Sequence, residues 1–167
     1  MSAVKASRDH HVYLGIGSNI SPEANIPRAI ALLRKYVEVE TISTIWESPP
    51  AEGSGPNFLN AAVLIRTDLD EEDLRSRILR GIEAQLGRIR TADQNAPRTI
   101  DLDILIYDGR VLDDQIWLRA YLALPLSELI PDLIQPTNGK SLKVIAERLI
   151  ASTPLSRRIL DLDLVNK

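Results

Sequence analysis

Cysteine is absent from this 167-residue chain, and histidine occurs only twice. Without cysteine there can be no disulfide scaffold, zinc finger, iron–sulfur site or thiol nucleophile. Neither His10 nor His11 sits in a motif, so no Ser/His/Asp nucleophilic set can be argued. Long apolar runs are missing too: nothing approaches the ~18 residues a membrane-spanning helix needs. Residues 1–11 are polar and lack the apolar stretch of a signal peptide. Nor is there an excess of positive charge, since 20 Lys+Arg against 23 Asp+Glu leave a formal charge of −3. That balance argues against a general nucleic-acid binder. No internal repeat, low-complexity tract or linker is visible. The 44% hydrophobic and 26% charged residues are ordinary for a globular protein, and the length suits one domain that can build its own core. The expectation is a cytoplasmic single domain over residues 11–167 behind a flexible tail at 1–10.

The hydrophobic pattern predicts alternating helices and strands. A strand is expected over residues 11–16, with Gly15-Ile16-Gly17 read as the turn that ends it. Ser21-Pro22-Glu23 signals a helix start, with Ile26, Ile30 and Leu33 on one face. Residues 37–46 read as a strand, 48–56 as a Pro/Gly loop, and 57–67 as a second long strand. Along that strand Leu59, Ala61, Val63 and Ile65 share one face, and Phe58, Asn60, Ala62 and Leu64 the other. Asp68 or Asp70 caps a helix with the stripe Leu74, Ile78, Ile82, Leu86, closed by Gly87. Residues 99–107 form the clearest strand, with Ile100, Leu102, Ile104 and Ile106 opposite Asp101 and Asp103. Helices are expected near 125–129 and 141–150, and an edge strand within 157–165. Consecutive strands at 37–46 and 57–67 imply a hairpin, hence an α+β fold: an antiparallel sheet carrying helices.

The strongest chemical signal is Arg98-Thr99-Ile100-Asp101-Leu102-Asp103. Residues i and i+2 of a strand share a face, about 6.6–7 Å apart along the chain, so both carboxylates point the same way and repel. A divalent cation is an economical remedy, since Mg²⁺ takes one or two carboxylates plus waters and substrate phosphates. An isolated D-x-D is more often a solvated acidic edge, and Asp161-Leu162-Asp163 is one without an arginine loop. Arg88, Arg90 and Arg98 change that balance, because guanidinium suits phosphate oxygens. Gly139-Lys140-Ser141 is not a P-loop, since Ile134 stands where the first glycine belongs; it reads as a helix N-cap.

With those residues in place the chain resembles the 6-hydroxymethyl-7,8-dihydropterin pyrophosphokinase family. Four pieces carry the likeness, in the family's order: Leu14-Gly15-Ile16-Gly17-Ser18-Asn19, Trp46-Glu47-Ser48-Pro49-Pro50, Asn57-Phe58-Leu59-Asn60-Ala61-Ala62, and Ile82-Glu83 through Gly87-Arg88 to Ala96-Pro97-Arg98-Thr99-Ile100-Asp101-Leu102-Asp103. The resemblance implies a ferredoxin-like antiparallel sheet flanked by helices in α-β-α layers. It implies transfer of pyrophosphate from ATP to the pterin hydroxymethyl group, releasing AMP, in folate biosynthesis. Asp101 and Asp103 would hold two Mg²⁺ ions. Arg88 and Arg98 would be catalytic, neutralising phosphate charge. Glu83, Arg90 and Arg119 would lie on the nucleotide side. Ser48, Pro49 and Asn60 would bind the pterin, with Phe58 and Tyr121 sandwiching its ring. The partners implied are small molecules, without nucleic acid or membrane; a monomer is expected, with the oligomeric state left open.

The chain also departs from the family pattern. Asn95 stands where the family usually carries an aromatic, and no Pro-His pair occurs, so the histidine of a V-P-H-P segment is missing. The stretch from Val111 to Tyr121 is shorter than the family's. Two alternatives therefore stay open: a same-fold kinase using another pterin or donor nucleotide, and a pterin-binding regulatory protein without turnover.

Overall fold

The computed structural model describes residues 9–50, 54–93 and 96–163. Seven strands form one antiparallel sheet: β1 (His10–Ser18), β2 (Glu38–Ile42), β3 (Ile45–Ser48), β4 (Phe58–Thr67), β5 (Asp101–Tyr107), β6 (Arg110–Val111) and β7 (Ser156–Arg158). Their order is β6-β5-β1-β4-β3-β7, with β2 also paired to β4. β2 and β3 are two halves of one bent strand. β2 pairs with the C-terminal half of β4 (Glu38 opposite Arg66) and β3 with its N-terminal half (Trp46 opposite Asn60). The predicted strand at 37–46 is thus broken at Ser43, whose backbone and hydroxyl both bond Ala62. The β5-β1-β4-β2/β3 arrangement, with helices between, is the β-α-β-β-α-β ferredoxin-like fold. β7 is an edge strand, but it begins one residue before the expected 157–165 stretch and ends at Arg158.

Helices cover both faces. On the first, α1 (Pro22–Tyr36) packs with a helical run of three parts: α2 (Glu71–Asp73), a π-helical segment Leu74–Leu79, and α3 (Arg80–Gln85). Val12, Leu14 and Ile16 of β1 and Leu59, Ala61, Val63 and Ile65 of β4 join Ile26, Ile30 and Leu33 of α1 in that core. On the second face α4 (Ala120–Leu129) and α5 (Leu142–Ser152) bury Ala123, Leu126, Leu142, Ile145 and Ala146 against Ala62 and Leu105. Ser141 caps α5, its hydroxyl accepting from the Val144 N–H.

Four expectations need correcting. β1 runs on to Ser18, so Gly15 and Gly17 lie inside a strand rather than in a turn that ends it. His10 also belongs to β1, where its Nδ1 lies 2.6 Å from Asp108 Oδ2; of the predicted tail, residues 1–8 fall outside those described. Asp70 is the cap of the 71–85 run, but the π segment adds a residue to one turn. Leu79 is therefore fully buried while Ile78 packs partly buried against the same core, and Glu83 turns inward beside Ile82. Finally, a β-bulge at Tyr13/Leu14 skips Leu105 in the β1–β5 register, so Ile106 leaves the face of Ile104 and joins the second core.

Candidate active site

Where α4 and α5 leave the second face uncovered, a cleft of about 270 Å³ opens over β1, β4 and β5. Its floor is backbone. Gly17 pairs with Asn60 of β4 on one side and Asp101 of β5 on the other; Gly15 pairs likewise with Ala62 and Asp103. A Cβ on Gly15 would come within 3.3 Å of the Leu105 side chain, and one on Gly17 within 3.4 Å of Asn60 Oδ1. Asn60 and Asp101 thus face each other across a bare strand, about two strand spacings of ~4.8 Å apart.

The β5 end is charged. Arg88 Nη1 donates to Asp101 Oδ1 (2.7 Å), and Arg98 Nη1 to Asp101 Oδ2 (3.0 Å). Arg88 also binds Glu83, which is 2% exposed. Burial opposes the Arg88 charge, yet Asp101 and Glu83 raise its pKa above the ordinary arginine value. Arg98 is fixed by the strand end facing it. Its N–H donates to Asn19 Oδ1 (2.7 Å), its carbonyl accepts from the Asn19 N–H (3.2 Å), and the Ser18 hydroxyl donates to Thr99 O (2.6 Å). Asp103 is an exposed residue of β5 that lines the cleft. Desolvation there, with the charges of Asp101, Glu83 and Asp113, pushes its pKa up to about 7 against the partial relief of Arg88.

The β4 end is aromatic and amide-bearing. Asn60 is buried, and its Nδ2 donates to Ser48 Oγ at 2.8 Å. That leaves Oδ1 toward Gly17 as a free acceptor. Phe58, Pro49 and Tyr121 also line the cleft. Desolvation, reinforced by Asp113 and Asp101 against Arg119 and Arg98, raises the Tyr121 pKa, so its hydroxyl stays protonated.

Of the twelve site residues named from sequence, Ser48, Pro49, Phe58, Asn60, Arg98, Asp101, Asp103 and Tyr121 line this one cleft. Arg88 stands just behind, touching Asp101. Glu83 lies inside the protein behind β5, Arg90 bonds Glu83 at 2.6 Å, and Arg119 precedes α4, its Nε donating to Gln115 Oε1 at 3.2 Å. Asn95 lies outside the described residues. Gly15, Gly17, Asn19, Asp113 and Gln115 also line the cleft, and sequence reasoning assigned none of them a role there. The glycines were legible: spaced i, i+2 in a strand whose other face is Leu14 and Ile16, they leave one face without side chains. For Asp113 and Gln115 no sequence pattern existed, because they reach the cleft through the fold of a short 3₁₀ turn, Asp114–Trp117.

Cationic and carboxylate groups at one end, with a stacking and amide-reading wall at the other, suit a group-transfer enzyme joining a phosphorylated donor to a flat organic acceptor. Known proteins narrow that class. The family model of 7,8-dihydro-6-hydroxymethylpterin-pyrophosphokinase (HPPK) matches residues 13–131, and the chain belongs to this family. A Synechocystis relative, 2-amino-4-hydroxy-6-hydroxymethyldihydropteridine pyrophosphokinase, is 32% identical over 84% of this chain and 76% of its own. The Aquifex aeolicus protein of the same name is 35% identical over 79% of this chain and 88% of its own. Among solved structures, a Plasmodium falciparum HPPK-DHPS superposes with a TM-score of 0.70 at 11% identity, over 89% of this chain. The likeness covers 47% of that longer chain and speaks for the fold alone.

Proposed function

We propose that the protein transfers the β,γ-diphosphate of ATP to the hydroxymethyl group of 6-hydroxymethyl-7,8-dihydropterin, yielding AMP and the pterin diphosphate. The observation that supports this reading is the row Asp101–Gly17–Asn60, a carboxylate and an amide on one sheet face with a bare strand between them. The pterin lies between Phe58 and Tyr121, its amide edge read by Asn60 Oδ1 while Ser48 holds the Asn60 Nδ2, and Pro49 closes the wall. The hydroxymethyl oxygen bonds to the β-phosphorus as the bond from that phosphorus to the bridging oxygen of AMP breaks. The protein contributes position and charge stabilisation rather than covalent chemistry. Arg98 and Arg88 meet the charge that develops on the transferred group; Arg90 and Arg119 serve the nucleotide from outside the cleft lining.

Magnesium belongs to the proposal. Two carboxylates from one strand face are hard oxygen donors, and the proton affinity of Asp103, raised first by desolvation and then by the charges of Asp101, Glu83 and Asp113, is what a bound cation would oppose. Among the described residues no group of three or more His, Cys, Asp or Glu could hold a metal ion. Asp101 and Asp103 would therefore share Mg²⁺ with substrate phosphates, as that ion commonly requires. Bound there, it would neutralise the polyphosphate and polarise its oxygens. The reading includes a monomer acting in the cytoplasm on small molecules; no helix among the described residues is long and apolar enough to cross a membrane.

The test is a chromatographic assay with purified protein, ATP, Mg²⁺ and the dihydropterin. AMP and pterin diphosphate are expected together, and both vanish with EDTA. Pterin binding without AMP formation would overturn the transfer reading in favour of a binding protein or another donor.

A further inference from the structure

Glu83 is a buried carboxylate that the proposed chemistry does not use directly. It does not line the cleft, and it is 2% exposed. Burying a carboxylate is unfavourable unless its lone pairs are filled by cations or donors. Here they are filled by three donors, each from a separate part of the site's charged end. Its Oε2 accepts from Arg88 Nη1 and from the Leu102 N–H (3.2 Å), and its Oε1 from Arg90 Nη2 (2.6 Å). Leu102 is the residue between Asp101 and Asp103, and Arg88 Nη1 is shared between Glu83 and Asp101 Oδ1. One carboxylate therefore grips the backbone that joins the two aspartates and the guanidinium that binds the first of them.

We infer that Glu83 is a positioning residue for the transfer: from behind the sheet it sets the Asp101–Asp103 pair and Arg88 in one fixed arrangement, and it touches neither substrate. The inference rests on the function proposed above. Its local origin is the π turn at Leu74–Leu79, which rotates residue 83 inward. Without Glu83, Arg88 would lose its rear partner and the Leu102 N–H its acceptor. The arginine could then swing onto Asp101 alone, and the aspartate pair would lose its backbone anchor.

A double-mutant cycle on kcat tests this, with Glu83→Gln, Arg88→Ala and the double variant. Glu83→Gln keeps the size of the side chain and removes its charge. The expected result is a fall in kcat of at least tenfold with the pterin KM unchanged, and little further loss when Glu83→Gln is added to Arg88→Ala. A merely structural role predicts otherwise: a lower melting temperature with kcat intact, or losses that multiply independently of Arg88. Either result overturns the inference. Should Glu83→Gln not fold, Glu83→Asp keeps the charge but draws the carboxylate back by about one C–C bond, ~1.5 Å, and must show the same Arg88-dependent loss. A wild-type enzyme that gives no AMP would instead sink the function proposed above.

Discussion

Asp103 carries a charge that its surroundings disfavour. Its folded-state pKa of about 7 lies above the ordinary 3.8, so the folded protein holds the proton more tightly than the unfolded chain does. Stability is then full below about pH 4, falls as pH rises toward 7, and is lowest above it. Asp103→Asn should raise the melting temperature of the metal-free protein at pH 8, with a smaller gain at pH 5. Equal gains at both pH values, read by scanning calorimetry, would remove the electrostatic explanation. Asn60 makes the opposite case, being a buried polar group whose Nδ2 is satisfied by Ser48. Asn60→Ala should weaken dihydropterin binding at least tenfold and leave ATP binding within about twofold, as loss of a site's hydrogen-bonding group typically does. Titration calorimetry with each ligand separates the two, and equal losses would mean that the two ends of the cleft are wrongly assigned.

Among the elements, the helical run 71–85 shows where sequence periodicity stops being informative. A 3.6-residue repeat puts Leu74, Ile78 and Ile82 on one stripe, and the π turn adds Leu79 to the core while Ile78 is left partly buried at its margin. No residue in Leu74-Arg75-Ser76-Arg77-Ile78-Leu79 announces that extra residue, since both Ile78 and Leu79 are apolar. The strand patterns were more legible: β4 has the predicted alternation, and Asp101 and Asp103 share a face because period 2 is rigid. The bulge that moves Ile106 was hidden, because every residue from Ile104 to Ile106 is apolar and fits either core. At the site, motif residues fixed by strand geometry could be read, whereas Asp113 and Gln115 depend on how a short turn folds back. Two glycines of this run invite a matched pair of substitutions. Gly81 lies within α3 with nothing within 4 Å of a new Cβ, so Gly81→Ala should stabilise the protein by about 0.5–1 kcal/mol. Gly87 ends the helix at φ +82°, and Gly87→Ala should destabilise it by about 1 kcal/mol. Urea titrations of both variants check the opposite signs.

At the scale of the whole molecule, the two helical layers serve different ends. The layer of α1 and residues 71–85 closes one core and, through Glu83, holds Arg88 and the Leu102 N–H at the charged end of the cleft. The layer of α4 and α5 closes the second core and brings Tyr121 and Leu122 to the cleft. Leu126 is fully buried in that second core. Leu126→Ala should destabilise the protein by about 2–5 kcal/mol and raise the KM for pterin more than that for ATP. A KM for ATP that rises as much as that for pterin would show that the α4–α5 layer is not dedicated to one end.

The sheet's margins have a bearing on life at high concentration. Its path ends in β6, two residues long, and β7, three residues long, and β7 binds through Arg158 to Glu23 and Glu47. β2 carries Glu38 and Glu40. Exposed strands recruit other chains when they are long, flat and apolar. Here the terminal strands are too short to template a partner, and β2 presents like charges to any second copy of itself. The two strands that end the sheet's path therefore offer a neighbouring chain little backbone on which to add a further strand.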